Sequence, residues 1–217
     1  RFFLNYSKKK HNINVIKAIK QNLNGFSIIS SERLLDEFKK LIKSEGFFKL
    51  TKDKFCFEII NLIFPQFKNI GIFKKLNDYA KQNNHKLDFI VLISLMIIDG
   101  TDNVKYFLYK FNLSKNHQKR ILFLNDFFSQ TITKKSFLKQ NLSRILYLNG
   151  KQSLMDLIYF EIFRSKKVDK KLLELIEFFK DRKPPIFPIK AKDLMEQYKI
   201  PEGKQLGWNM KKIEQKW

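Results

Sequence analysis

The chain has 217 residues, and 44% of them are hydrophobic, which excludes wholesale disorder. Only 7 Gly and 5 Pro exclude collagen-like and turn-rich β architectures, and a single cysteine, Cys56, excludes an intramolecular disulfide framework or a Cys-rich zinc module. Lys and Arg number 43 against 21 Asp and Glu, a formal charge of +22 that points to a polyanionic partner. Six of the basic residues are Arg and 37 are Lys. Ile, Asn and Phe are abundant as well, and all these residues have A/T-rich codons, so a skewed genome is a rival source for part of the basicity.

The apolar spacing predicts helix almost throughout. Leu34, Leu35, Phe38, Leu41 and Ile42 recur at i, i+1, i+4, i+7 and i+8, with Ser30 as N-cap and Glu32 in the first turn, where a negative charge suits the helix dipole. Arg33 with Glu37, and Asp36 with Lys40, are spaced as i,i+4 pairs. A helix from Asp53 is expected to stop at Phe64, before Pro65. Further helices are expected near 68–83, 86–98, 103–112, 115–130, 134–147, 151–165 and 168–180. In 134–147, Phe137, Leu138, Leu142 and Ile145 are placed on one face and Lys139, Ser143 and Arg144 on the other. Asn149-Gly150 reads as a helix C-cap turn. No strand alternation of useful length is present.

Arg182-Lys183-Pro184-Pro185-Ile186-Phe187-Pro188 holds three of the five prolines and reads as an extended linker. The expected class is therefore all-α: a neck-like helical segment over 1–50, a helical body over 51–180, and a linker with a small helical tail over 181–217. Charge is concentrated. Residues 1–50 and 101–150 each carry a net +7, whereas 51–100, 151–180 and 181–217 carry +2, +2 and +4. Uniform codon bias should spread charge evenly, so this clustering favours nucleic acid as the partner. The longest predominantly apolar run, Phe89 to Ile98 with Ser94 inside it, is ten residues against the roughly 20 a membrane helix needs, so no membrane partner is expected. No signal peptide is visible, and a cytoplasmic location is expected. The chain begins at Arg1 rather than Met, as a piece of a longer protein does.

Catalytic chemistry is hard to find. His11, His85 and His117 are scattered among polar residues, without a carboxylate or second His at metal-ligand spacing. Cys56 lies among Phe55, Phe57 and Ile59 and reads as a core residue. There is no Gly-rich phosphate loop and no Gly-x-Ser-x-Gly elbow. Asp53 with Glu58, and Glu174 with Glu177, read as solvated faces balanced by Lys. The 23 Phe could serve as a base-stacking platform, but most fall on apolar stripes and read as core. Trp208, close to Lys204 and Lys211, is the better stacking candidate.

Two stretches together resemble a known family. Ile29-Ser30-Ser31-Glu32-Arg33, continued by Leu34-Leu35-Asp36-Glu37, is similar to the I-S-x-E-R-x-x-x-E neck motif of bacterial class II tRNA nucleotidyltransferases (CCA-adding enzymes) and poly(A) polymerases. Arg1-Phe2 and Tyr6 stand where that family has R-F-x-x-x-x-x-F, and Leu62-Ile63-Phe64-Pro65-Gln66-Phe67 is similar to its leucine run closed by L-P-E-L. At the other end, Pro188-Ile189-Lys190-Ala191-Lys192-Asp193-Leu194 leads to Ile200-Pro201-Glu202-Gly203-Lys204-Gln205-Leu206-Gly207 and then Glu214 and Trp217. This resembles the family's tail pattern P-x-x-G-x-D-L-x-x-x-G-I-x-x-G-x-x-x-G with a closing E-x-x-W. Ala191 and Lys199 replace two of its glycines.

The resemblance covers neck, body and tail but not a catalytic head. It implies that a head, in cis or in trans, carries the Asp-x-Asp metal pair with Mg and CTP or ATP. This segment is then expected to need no cofactor, to lack catalytic residues and to be inactive alone. It would hold RNA, above all a tRNA acceptor arm, so that the 3′ end meets the head. Candidate RNA-binding residues are Lys8, Lys9, Lys10, Lys17 and Lys20; then Lys115, Lys119, Arg120, Lys134, Lys135, Lys139 and Arg144; and in the tail Lys190, Lys192 and Lys204. Glu32, Arg33 and Glu37 take the structural neck role. The rival readings are a stand-alone helical RNA-binding protein or partner subunit without enzymatic activity, and a helical interaction protein whose basicity is codon bias.

Overall fold

Short polar side chains begin most of the longer helices by satisfying backbone N–H groups that have no partner inside the helix. The computed structural model describes residues 2–6, 12–44, 46–50 and 52–217. Asn12 caps α2 (Ile13–Gln21) and follows α1 (Phe2–Tyr6). Ser30 caps α3 (Ser31–Ile42), its hydroxyl accepting from the Arg33 N–H at 3.3 Å, as the sequence predicts. After α4 (Phe47–Leu50), Asp53 caps α5 (Lys54–Ile63) through the Cys56 N–H at 2.9 Å. Asp88 caps α7 (Phe89–Ile97), Ser114 caps α9 (Lys115–Ser129) and Asp169 caps α11 (Lys170–Lys180). Between these lie α6 (Asp78–Asn83), α8 (Asn103–Lys110) and α10 (Lys139–Arg164); α12 (Ala191–Tyr198) and α13 (Lys204–Lys216) form the tail. The class is all-α, and there is no strand among the described residues.

Three local expectations are corrected. The stretch 68–83 is not one helix: a 3-10 turn over Ile70–Lys74 is followed by α6. The break falls just before Asn77, whose amide turns inward to donate to the carbonyls of Ile162 (2.7 Å) and Ser165 (3.0 Å) while its carbonyl caps the Ala80 N–H at 2.8 Å. Leu138 leaves the predicted apolar face. It is the extended residue before α10 (φ −69°, ψ 144°) and is 51% exposed, while Leu142 is fully buried. In α3 the charged pairs close at i,i+3, Glu37 with Lys40 at 2.7 Å and Asp36 with Lys39 at 3.5 Å, rather than at i,i+4. The expected punctuation at Asn149-Gly150 is present inside α10. Gly150 takes φ 79° and ψ 168°, a left-handed conformation that favours glycine, and the helix kinks there.

The ten-residue apolar run is the central helix. Every residue from Ile90 to Ile97 in α7 is buried, against α8, α9, α10 and the Ile70–Lys74 turn. A helix apolar all round needs cover on every side, and its length suits a core helix rather than a membrane span. No helix of the described residues is long and apolar enough to cross a membrane. Phe38, Phe47, Phe64, Phe67, Phe107 and Phe111 form a connected ring cluster, with Phe64 stacked on Phe67 at 4.7 Å and Phe38 tilted on Phe67 at 4.6 Å. Each such ring contributes on the order of 2–3 kcal/mol by burial. No phenylalanine with a described side chain is exposed, so these rings serve the core.

Two more asparagines tie loops to helix ends. Asn69 donates to the Ile98 carbonyl at 2.6 Å, and Asn103 donates to Gln66 and Ile97 carbonyls at 2.7 and 2.8 Å. With Asn77 they fasten the irregular 66–77 segment to α7 and α10.

Candidate nucleic-acid interface

Lys139 and Arg144 are brought together with residues far away in sequence. The first half of α10, the C-terminal end of α11, the proline linker and α13 enclose a groove of about 490 Å3. Lys139, Arg144 and Arg182 supply its positive charge. The Lys139 ammonium lies over the Phe178 ring at 4.2 Å from its centroid, and the Arg182 guanidinium lies over the same ring at 4.5 Å. A ring face attracts cations through its quadrupole, so Phe178 holds both charges without neutralising either. Arg144 donates to the Gln215 carbonyl at 2.7 Å. None of the three cations forms an ion pair among the described residues.

Aromatic contacts hold the tail against this groove. Trp217 meets Tyr147 edge-on at 5.0 Å and Phe187 of the linker at 5.5 Å. The Tyr147 hydroxyl donates to the Glu214 carboxylate, and this bond raises the phenol pKa above its ordinary value. Glu214, the one acidic side chain lining the groove, is thereby engaged by a neutral partner. The proline segment, residues 182–190, carries no helix, strand or turn.

Arg120 is withdrawn from the candidate set. It is 6% exposed and grips Asp156 in a fork, Nε to Oδ2 at 2.6 Å and Nη2 to Oδ1 at 2.9 Å, with Asp88 at 2.8 Å. Burial opposes the guanidinium charge, but hydrogen bonding and charge from Asp156, and then Asp88, outweigh it and raise the Arg120 pKa. Burial likewise pushes the Asp156 carboxyl up, against the pull of Arg120 and Gln152. This network joins the start of α7 to α9 and α10 and commits the Nε and Nη2 donors of Arg120 to carboxylates.

The remaining candidates are dispersed. Lys17 is exposed on α2, and Lys20 pairs with Glu58 of α5 at 2.8 Å. Lys115 and Lys119 are exposed at the start of α9, and Lys135 is exposed in the turn before α10. The Lys134 backbone lies in that same turn. Lys190 precedes α12, its N–H bonded to Asp193 at 2.7 Å; Lys192 pairs with Glu196 at 3.5 Å; Lys204 opens α13. Lys8, Lys9 and Lys10 lie outside the described residues, as do Arg1 and His11. Glu32 and Arg33 are exposed on the first turn of α3. Trp208 is 59% exposed, with the Lys212 ammonium 4.1 Å from its ring centroid.

Arg182 and Phe178 were not expected at this site. The charge of 181–217 is modest, and Phe178 sits in an apolar stripe. One usable signal was the scarcity of Arg in a Lys-rich chain, since an Arg chosen over Lys brings planar geometry that stacks on rings.

Cys56 is half-buried, and burial, followed by the charge and hydrogen bond of Asp53, pushes its thiol up to about 12, so it stays protonated near neutral pH. Among the described residues no three His, Cys, Asp or Glu side chains gather into a set that could hold a metal ion. No protein-family model matches the chain, and no curated protein matches it in sequence.

Proposed function

We propose that this chain is the RNA-holding portion of a tRNA nucleotidyltransferase or poly(A) polymerase, gripping a tRNA acceptor arm so that its 3′ end reaches a catalytic head not contained in these residues. The observation that carries the reading is the tail groove, where Lys139, Arg144 and Arg182 converge and none of them pairs with Glu214, the one carboxylate among the lining residues. Charge grouped this way suits phosphate oxygens, which fix position without reading sequence. The resemblance of the two sequence stretches to that family supports the reading, and α3, α12 and α13 are helical at those positions.

In this reading the body grips the phosphate backbone, and the docked tail completes the grip. RNA helices expose backbone and 2′-hydroxyls rather than a readable major groove, so shape recognition is the expected mode. Nucleotide addition, with its Mg and CTP or ATP, belongs to the head.

A tRNA titration at several salt concentrations tests this. Affinity should fall steeply with salt, log K dropping by about 0.9 per phosphate neutralised. A flat response, or no binding, rejects the RNA reading and leaves a helical interaction protein.

A further inference from the structure

A separate groove of about 590 Å3 lies within the tail, between α12 and α13. Ile189 of the linker, Leu194 and Tyr198 of α12, and Ile200 and Ile213 give it an aliphatic and aromatic lining. From α13 it takes Asn209, Lys212, Ile213 and Lys216, spaced i, i+3, i+4 and i+7 on one face. Glu214 and Trp217 of the same helix line the groove beside α10 instead. The two grooves therefore use different faces of α13.

Positive charge edges this apolar floor. Lys212 and Lys216 stand one helical turn apart, are exposed, and form no ion pair among the described residues. The Lys212 ammonium is steadied over the Trp208 ring, 4.1 Å from its centroid. Asp193 is the one carboxylate in the lining, and its Oδ2 is taken by the Lys190 N–H at 2.7 Å. Tyr198 is 69% exposed and Trp208 59%. Apolar surface rimmed in this way marks an interaction site.

We infer that this groove docks an acidic amphipathic helix of a partner protein. An aliphatic floor gains free energy only from an apolar occupant, and two unpaired lysines select one with carboxylates beside its apolar stripe. The lysine spacing matches carboxylates at i and i+4 on a facing helix, and the stretch Asn209 to Lys216 spans about two of its turns. A second copy of this chain would bring its own charge of +22 against these lysines, and a nucleic-acid backbone has no aliphatic surface for Ile189, Ile200 and Ile213 to cover. The inference does not depend on the RNA reading, which uses the other face of α13.

The test begins by selecting binders to the full chain from a random 16-residue peptide library. Enriched peptides should carry Leu, Ile or Phe at helical spacing with Glu or Asp alongside. The best of them, synthesised with a fluorescent label, is then titrated against the wild type and two variants. In the Lys212→Glu, Lys216→Glu variant affinity should fall at least about tenfold, and a peptide with its acidic residues changed to Lys should recover it. Tyr198→Ala should weaken binding at least about tenfold through the loss of an aromatic contact. All three side chains are exposed, so thermal midpoints should stay unchanged, and the recovery by the Lys-substituted peptide shows that the charge-swapped groove is still folded. Bound peptide should protect Lys212 and Lys216 from acetylation in the wild type. Selection of nothing, selection of peptides without acidic amphipathic character, or equal binding to wild type and variants overturns the inference. So does protection of Lys212 and Lys216 by tRNA together with displacement of the peptide, which would make the groove a nucleic-acid contact.

Discussion

Arg120 and Arg144 belong to the same basic stretch, yet they end in opposite regions. Arg120 lies in the core, forked onto Asp156 of the second half of α10 and touching Asp88. Arg144 lies on the first half of the same helix, exposed, with a backbone carbonyl as its partner. The kink at Gly150 divides the two halves. After it, Leu154, Leu157, Ile158, Ile162 and Phe163 are buried, and a charge among them needs a matched countercharge. Before it, the helix skirts the groove, and its cations form no ion pair among the described residues. A positive side chain is thus locked into the core or left unpaired at the surface according to whether a carboxylate pairs with it.

The largest effect that probes this contrast is expected from Asp156→Ala. It leaves Arg120 buried with Asp88 alone and should cost about 3–5 kcal/mol in urea unfolding. Under folding conditions it should leave the salt slope of RNA binding unchanged, and a changed slope would erase the distinction. The converse is the Lys139→Ala, Arg182→Ala double variant. It should weaken tRNA binding about tenfold and make the salt slope shallower by about 2, with stability nearly unaltered. A drop in stability without loss of binding would recast the tail groove as a structural joint. The smallest effect concerns the tail. Lys199 ends α12 in the left-handed conformation, φ 50° and ψ 33°. Such backbone costs a side-chain-bearing residue about 1–2 kcal/mol, so Lys199→Gly should raise tail stability by about 0.5–1 kcal/mol after glycine's greater unfolded entropy is counted. Slower amide exchange across α12 would show it, and faster exchange would refute it.

Lys199 also shows how a pattern departure is absorbed. The pattern that the tail resembles has glycine there, and this chain makes the left-handed turn with lysine. At Gly203 the glycine is kept, and φ is 145°. Much of the rest was legible from local rules. Ser30 as N-cap, the end of α5 just before Pro65 (at Ile63, one residue short of the expected Phe64), the break at Gly150 and the helix-free proline segment follow from hydrogen-bond supply and allowed dihedrals within a few residues. The break within 68–83 was not legible, because Asn77 is held by carbonyls 85 and 88 residues away. The groove lined by Lys68, Lys74, Lys75, Arg164 and Lys166 was hidden for a similar reason. Windows 51–100 and 151–180 each carry only +2, and their cations combine only where the 68–75 segment meets the end of α10.

By itself, the sequence determined the all-α class, those helix starts and stops that local capping and proline set, the central apolar helix and the excess of positive charge. All of these depend on periodicity, capping and composition, which act over a few residues or over the whole chain. Tertiary structure alone decided which cations lose their freedom to a buried carboxylate and which share a groove. An ion pair or a groove needs side chains within a few ångströms, and packing sets that distance.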